Sequence, residues 1–309
     1  MIIHTKTHML RAFYVSAALA IASAPADAQQ AAALGVQLDD RQSEHLAYDL
    51  KIGGLHVADF LAAFEEGPDA YRTTLTMETR GMARWFQDFR AELVGEGRMA
   101  IETGRGPTPV PRTFDRAWEA QTVAASLTIG YDPVSRLALA EERLFNPQTG
   151  EALTLEDLDW NRDRELPPPV PDDMRTGVFD PMAAFVAARA QIHHAGRSEF
   201  RVPIYDGRRR YDLVGEVEAP REFWIGGEDV ELVPVTARVE PVFGFDKRRA
   251  ETMQDSGGKI LFSPDTRFIP VQVILQGSMF SSVMNLTADC VVDAAACQQI
   301  AEASGAEEQ

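Results

Sequence analysis

Few residues in this chain of 309 amino acids are placed to do covalent chemistry. The serine with the most suggestive surroundings is Ser256 in "MQDSGGKI", with an acid before it and two glycines after. Gln254 stands where a nucleophile segment of this kind carries glycine, and no Ala-Ala-His-Cys segment lies upstream to supply the base. Residues 255–258 therefore read as a turn entering the strand "KILF". His193 and His194 are adjacent near a helix end, so they cannot face one metal as an i,i+4 pair does; their simpler role is to meet the negative end of the helix dipole. Gly-x-Ser-x-Gly, HExxH, a phosphate-binding glycine loop and CxxC are all missing from the sequence. We expect no catalytic residues, no metal, no cofactor and no enzymatic activity.

Binding chemistry has better candidates. In "SEFRVPIYDGRRRYDL" three consecutive arginines follow an Asp-Gly turn. With a two-residue turn at Asp206-Gly207, Arg201 faces Asp212 across a hairpin. Phe200, Val202, Ile204, Tyr211 and Leu213 then share an apolar face, while Arg201, Arg208, Arg210 and Asp212 share a solvated one. Arg209 alone points to the apolar side near the turn. The triplet is thus not one patch, although Arg208 and Arg210 share a face that could grip a carboxylate or phosphate. Trp85, Trp118, Trp160 and Trp224 are candidates for an apolar groove, with core or rim packing as their alternative.

These residues need elements to hold them, and the elements are mostly strands. In "EHLAYDLKIGGLHVADFLAAF", Leu46, Tyr48, Leu50 and Ile52 alternate with Ala47, Asp49 and Lys51. Gly53-Gly54 suits a two-residue hairpin, after which Leu55, Val57 and Leu61 are expected on the first strand's apolar face. "YRTTLTMET" makes a third strand of a meander, and residues 82–103 are read as strand although Trp85, Phe86 and Phe89 have helical spacing. Four prolines between Pro167 and Pro171 mark a connection at 165–175 between two halves. The one persuasive helix, about 180–195, is capped by Asp180, carries Pro181 at its first position and ends at Gly196.

The first 28 residues are expected to be an address. Lys6 and Arg11 precede an apolar run from Ala12 to Ile21, too short to cross a membrane, and Ala26-Asp27-Ala28 offers a cleavage site after Ala28. Cleavage removes two cations and one acid, taking the formal charge from -17 to about -18, which argues against nucleic-acid partners. No later apolar run would span a membrane as a helix. Residues 29–43 are expected to be a flexible lead, 44–290 one β-rich domain and 291–309 a tail. In an exported chain the only two cysteines, Cys290 and Cys297, most simply form one local disulfide, with two free thiols as the alternative.

Taken in order, "LAYDLKIGGLHVADF", "TMETRGMARWF", "GPTPVPRTF", "DPMAAFVAA", "RVPIYDGRRRYDL" and "FIPVQVILQGSMFSSVMNLTA" resemble the domain of unknown function 3108 family of exported bacterial proteins. The resemblance covers about residues 45–288 and carries no catalytic residues. It implies a periplasmic envelope protein of a Gram-negative bacterium. The fold expected is mainly β, a strongly curved antiparallel sheet or open half-barrel with the helix packed on it. By architecture this looks like the periplasmic carriers of lipids and lipoproteins. The first functional expectation is therefore an apolar or amphipathic ligand, or a partner protein, held in the concavity by Trp85, Trp118, Trp224, Arg208 and Arg210. The alternative is an envelope assembly factor without a ligand pocket, and a core sealed against ligand would favour it.

Overall fold

The computed structural model describes residues 42–86, 88–102, 106–158, 166–194, 196, 198–254, 257–276 and 281–290. Its first half is a meander: β1 (Gln42–Ile52), β2 (Leu55–Glu66), β3 (Ala70–Thr79), the short helix α1 (Ala83–Phe86), β4 (Arg90–Glu102), β5 (Gly106–Glu119), β6 (Ala124–Tyr131), β7 (Ala138–Phe145) and the two-residue β8 (Ala152–Leu153). A 3-10 turn at Asp172–Arg175 leads into α2 (Pro181–Arg189), which continues as π-helix over Ala190–His194. The second half runs through β9 (Glu199–Tyr205), β10 (Arg210–Val217), β11 (Arg221–Ile225), β12 (Glu228–Phe243), α3 (Lys247–Gln254), β13 (Gly257–Phe262), β14 (Pro270–Gln276) and β15 (Ser281–Asp289).

All named strands join one antiparallel sheet, ordered β8-β7-β6-β5-β4-β3-β2-β1-β15-β14-β13-β12-β10-β9, with β11 paired to β12 off this path. The first strand therefore pairs with the last, and the free ends of the sheet are β8 and β9. The sheet is not closed, but residues 176–179 stitch across its seam. Thr176 bridges Leu137 just before β7, and Phe179 bridges Ile204 of β9, with Phe179 donating to Pro203 and accepting from Tyr205, both at 2.8 Å.

Gly53 and Gly54 make the expected turn with φ of +57° and +86°, pairing Ile52 with Leu55. The return strand departs from simple alternation. A bulge between Leu50 and Lys51 inserts Val57, so Ala58, Phe60, Ala62 and Phe64 become the inward set. Leu61 instead packs on the outer side with Ala47, Ala288 and Cys290. β1 also starts earlier than expected, since Gln42 and Ser43 pair with Glu66 and Glu65. Where continuous strand was expected over 82–103, α1 precedes β4.

The core lies inside the curl, on both sides of α2. Asp180 accepts from Met182 and Ala183 N–H groups at 2.9 Å, Pro181 occupies the first turn, and six of the nine residues that follow the cap are buried. A helix buried nearly all round must be enclosed. Its alanines admit close neighbours, and β3, β4, β5 and β9 all contact it. One apolar cluster joins Phe60, Leu93, Phe114, Leu127 and Ile129 to Met182 and Tyr205, while another joins Ala183 to Ala188 with Val202, Ile204, Tyr211 and Phe262. Phe64, Phe185, Phe262 and Phe268 form an aromatic line across the interior at centroid spacings of 5.2, 6.5 and 4.3 Å.

Candidate functional site

The concavity expected to hold a ligand is occupied by α2 and by the tip of the β9–β10 hairpin. The hairpin register differs from the expected one by two residues: Tyr205 pairs with Arg210, Ile204 with Tyr211 and Val202 with Leu213, leaving a four-residue loop, 206–209. An even shift preserves the pleat, so the apolar face stands as read and Arg201 still reaches Asp212, at 2.5 Å. The loop residues are what change. Asp206 Oδ1 accepts the N–H groups of Arg208 and Arg209 at 3.0 and 2.7 Å, and Gly207 comes so close to Leu127 of β6 that a Cβ would lie 2.7 Å from its side chain.

The loop also seats charges inside the curl. Arg208 pairs with Glu142 of β7, and Glu142 accepts from Arg116 of β5 at 3.2 Å. Arg209 turns back onto Asp206 at 2.9 Å and lies over the Phe245 ring at 5.6 Å. Burial alone would raise the Asp206 pKa, yet the Arg209 and Arg116 guanidinium groups hold it below the ordinary value. Burial pulls Arg116 below its own ordinary value, and its buried Nε has no hydrogen-bond partner among the described residues. Arg175 adds a bond to the Ala138 carbonyl at 2.9 Å and lies over the Tyr205 ring. These contacts tie β5 and β7 to the β9–β10 loop across the seam.

At the start of α2 sits a second buried polar group. Asp180 is fully buried, and the Tyr131 hydroxyl donates to its Oδ2 at 3.5 Å. Loss of hydration pushes its carboxyl up to about 6, although the two helix N–H groups pull the other way. The Tyr71 hydroxyl, buried nearby, has no hydrogen-bond partner among the described residues. Two glycines on the inward face of β4 make room here: a Cβ on Gly95 would lie 2.8 Å from Met182, and one on Gly97 would lie 2.4 Å from the Val110 carbonyl.

At the other end of α2, Arg189 donates to Glu66 at 3.1 Å, to Glu44 at 3.2 Å and to the Arg267 carbonyl at 2.5 Å. Burial and the Glu66 charge raise the Glu44 pKa against the pull of Arg189. The adjoining cleft has a volume of about 70 Å³. A second cleft of about 250 Å³ is lined by Glu78, Arg84, Asp88, Arg90 and Glu119 among others. Both are walled largely by charge, and neither is an apolar groove of lipid size. Among the described residues no group of three or more His, Cys, Asp or Glu side chains is placed to hold a metal.

The residues singled out in the sequence are dispersed. Arg208 belongs to the internal cluster with Glu142, not to the solvated face; Arg210 stays with the Tyr211 carbonyl and Asp212 at 2.6 and 2.5 Å. Trp118 is part-buried and stacks on Phe89 at 6.0 Å. Trp224 is 70% exposed on β11, a strand that pairs with neither neighbour of β5. Trp85 lies in α1, but its side chain is outside the described residues, as are all of Trp160, Ser256 and Cys297 and the His194 side chain. His193 stacks on Phe268 at 5.6 Å. No described cysteine is free, and Cys290 is buried with its N–H donating to the His45 carbonyl at 2.7 Å. Sequence reading passed over Arg116 and Glu142 and took Asp206 as a turn residue alone. The first two carried a signal: Arg116 sits in phase with inward Phe114, and Glu142 in phase with inward Ala138 and Leu144.

Comparison with known proteins yields a match of residues 47–285 to the model of a family described as "Protein of unknown function (DUF3108)". No curated protein matches the chain. Among solved structures, a similar one is the crystal structure of a β-barrel-like protein of domain of unknown function DUF1849 from Brucella abortus. It is 11% identical with a TM-score of 0.41, the alignment covering 81% of this chain and 98% of that one.

Proposed function

The chain belongs to the DUF3108 family of proteins of unknown function, and we propose that it is an exported, non-enzymatic envelope protein that acts through protein contacts on its outer surface. The observation that carries this reading is the filled concavity. The inward side chains of β4, β5 and β6, with Phe114 and Ile129 at 0% exposure, are covered by the chain's own helix and hairpin loop. A carrier of lipid needs an apolar space of several hundred Å³, and the clefts described above are small and charged. Export rests on the leader of the first 28 residues, and an oxidising compartment would pair Cys290 with Cys297. No helix among the described residues is long and apolar enough to cross a membrane.

Native mass spectrometry with lipid extraction, on protein purified from the periplasm of its own host, tests this reading. The expected result is the mass of the chain alone, under conditions that retain a weakly bound lipid on a control protein. A reproducible stoichiometric lipid or small molecule would overturn it.

A further inference from the structure

One surface is poorly explained by the fold itself. The first five residues of β12, Glu228 to Leu232, lie outside the main sheet, and with β11 they form a two-stranded ribbon turned by Gly226 and Gly227. The register places Arg221 opposite Leu232, Glu222 opposite Glu231, Phe223 opposite Val230, Trp224 opposite Asp229 and Ile225 opposite Glu228. Alternation then gives one face to Arg221, Phe223, Ile225, Glu228, Val230 and Leu232, of which the four apolar side chains are partly or fully buried. The other face carries Glu222, Trp224, Asp229 and Glu231, all exposed.

That second face is built against its own stability. Like charges directly across a ladder repel, yet Glu222 and Glu231 form such a pair, with Asp229 beside them. None of the three carboxylates has an ion-pair or hydrogen-bond partner among the described residues. An indole that is 70% exposed stands among them. The outer edge of β11 is also unpaired among the described residues, so its backbone can take another strand.

We infer that this ribbon is a docking site for an extended partner segment in which Lys or Arg alternates with apolar residues. A strand added to β11 projects alternate side chains onto the two faces. Cations on the acidic face would stack on Trp224 and offset Glu222, Asp229 and Glu231, and apolar side chains would extend the Phe223, Ile225 and Val230 face. Charge argues for this occupant over two others. A second copy pairing through β11 would bring carboxylates against carboxylates, and an anionic membrane would be repelled by them. The ribbon already uses the same chemistry internally, since Arg221 lies over the Phe223 ring at 4.8 Å. The inference rests on the protein-contact reading above and names the chemistry of the partner.

The test uses the full mature chain and a fluorescein-labelled peptide of alternating Lys/Arg and Val, KVRVKVR, read by anisotropy across a salt series. Binding should weaken about tenfold in Trp224→Ala and in Glu222→Gln/Glu231→Gln, the scale of a lost cation–π or charge contact. Glu151→Gln/Glu156→Gln, which removes the same charge from distant exposed positions, should change it less than twofold. The same peptide N-methylated at alternate amides, unable to donate along one edge, should bind at least tenfold more weakly. Equal binding by all variants would mean attraction to net charge alone and overturn the inference. So would no binding by the unmodified chain, or Trp224-dependent binding to phosphatidylglycerol vesicles in place of the peptide. If the peptide fails while native mass spectrometry finds no lipid, the ribbon assignment falls and the protein-contact reading stands.

Discussion

Replacing Asp180 by Asn should stabilise this protein at neutral pH, although Asp180 caps its central helix. The carboxyl is fully buried, and no described cation neutralises it; Tyr131, Tyr71, Thr73 and the helix N–H groups are what face it. Its pKa rises from 3.8 unfolded to about 6 folded, chiefly through lost hydration. A raised folded pKa means that the native state holds the proton more tightly. Stability from this group is therefore complete below pH 3.8 and is lost as pH climbs through about 6. At about 1.4 kcal/mol for each tenfold change, the ionised form costs about 3 kcal/mol above that range. Asn keeps an oxygen for the Met182 and Ala183 N–H groups and never ionises, and Asn and Asp cap about equally well. Urea unfolding of wild type and Asp180→Asn, followed by tryptophan fluorescence between pH 4 and 8, isolates the effect because other titrations cancel in the difference. The variant should be near wild type at pH 4 and more stable by up to about 3 kcal/mol at pH 7.5. A difference that is flat with pH, or that favours wild type at pH 7.5, would refute the reasoning.

Removing Glu142 should destabilise the seam more than removing Arg208. Glu142→Ala removes the carboxylate that pairs with both Arg208 and Arg116, leaving buried Arg116 only the Asp206 charge, and should cost about 2–3 kcal/mol in urea unfolding, whereas Arg208→Ala leaves the Arg116 pair in place; an equal or reversed order would show that the cluster does not tie the halves. Gly97→Ala meets the Val110 carbonyl and the Tyr71 ring, neither of which can easily move, and should lower stability by about 1–3 kcal/mol; an unchanged midpoint would contradict that packing. Trp224→Ala, at an exposed position, should shift unfolding by no more than about 0.5 kcal/mol, so a larger loss would place the indole in the core. Intact mass before and after reduction of the exported chain should differ by the two hydrogens of a Cys290–Cys297 disulfide, and equal masses would mean free thiols.

Residue order alone determines the local parts of this molecule. Alternation at Leu46, Tyr48 and Leu50, the Gly53-Gly54 turn, and the Asp180-Pro181 start of α2 depend on neighbours a few residues apart, and each is found as read. The apolar face of β9 and β10 survived even a register shift, because a slip of two keeps the pleat. What failed was decided at a distance. The bulge at Val57 moved Leu61 to the outer face, where Cys290 and Ala288 from the end of the chain cover it. Arg208 reads as solvated until β7, 66 residues away in sequence, supplies Glu142. Nothing local to Asp206 or Gly207 says that their loop will close against Leu127 on the far side of the sheet. Periodicity fixes which face of a strand is apolar, but which elements fill the concavity depends on the curl of the whole sheet. Only in three dimensions does the helix packed on the sheet become the content of the cavity, and Arg116 and Glu142, two charges in core phase, acquire the partner that makes their burial tolerable.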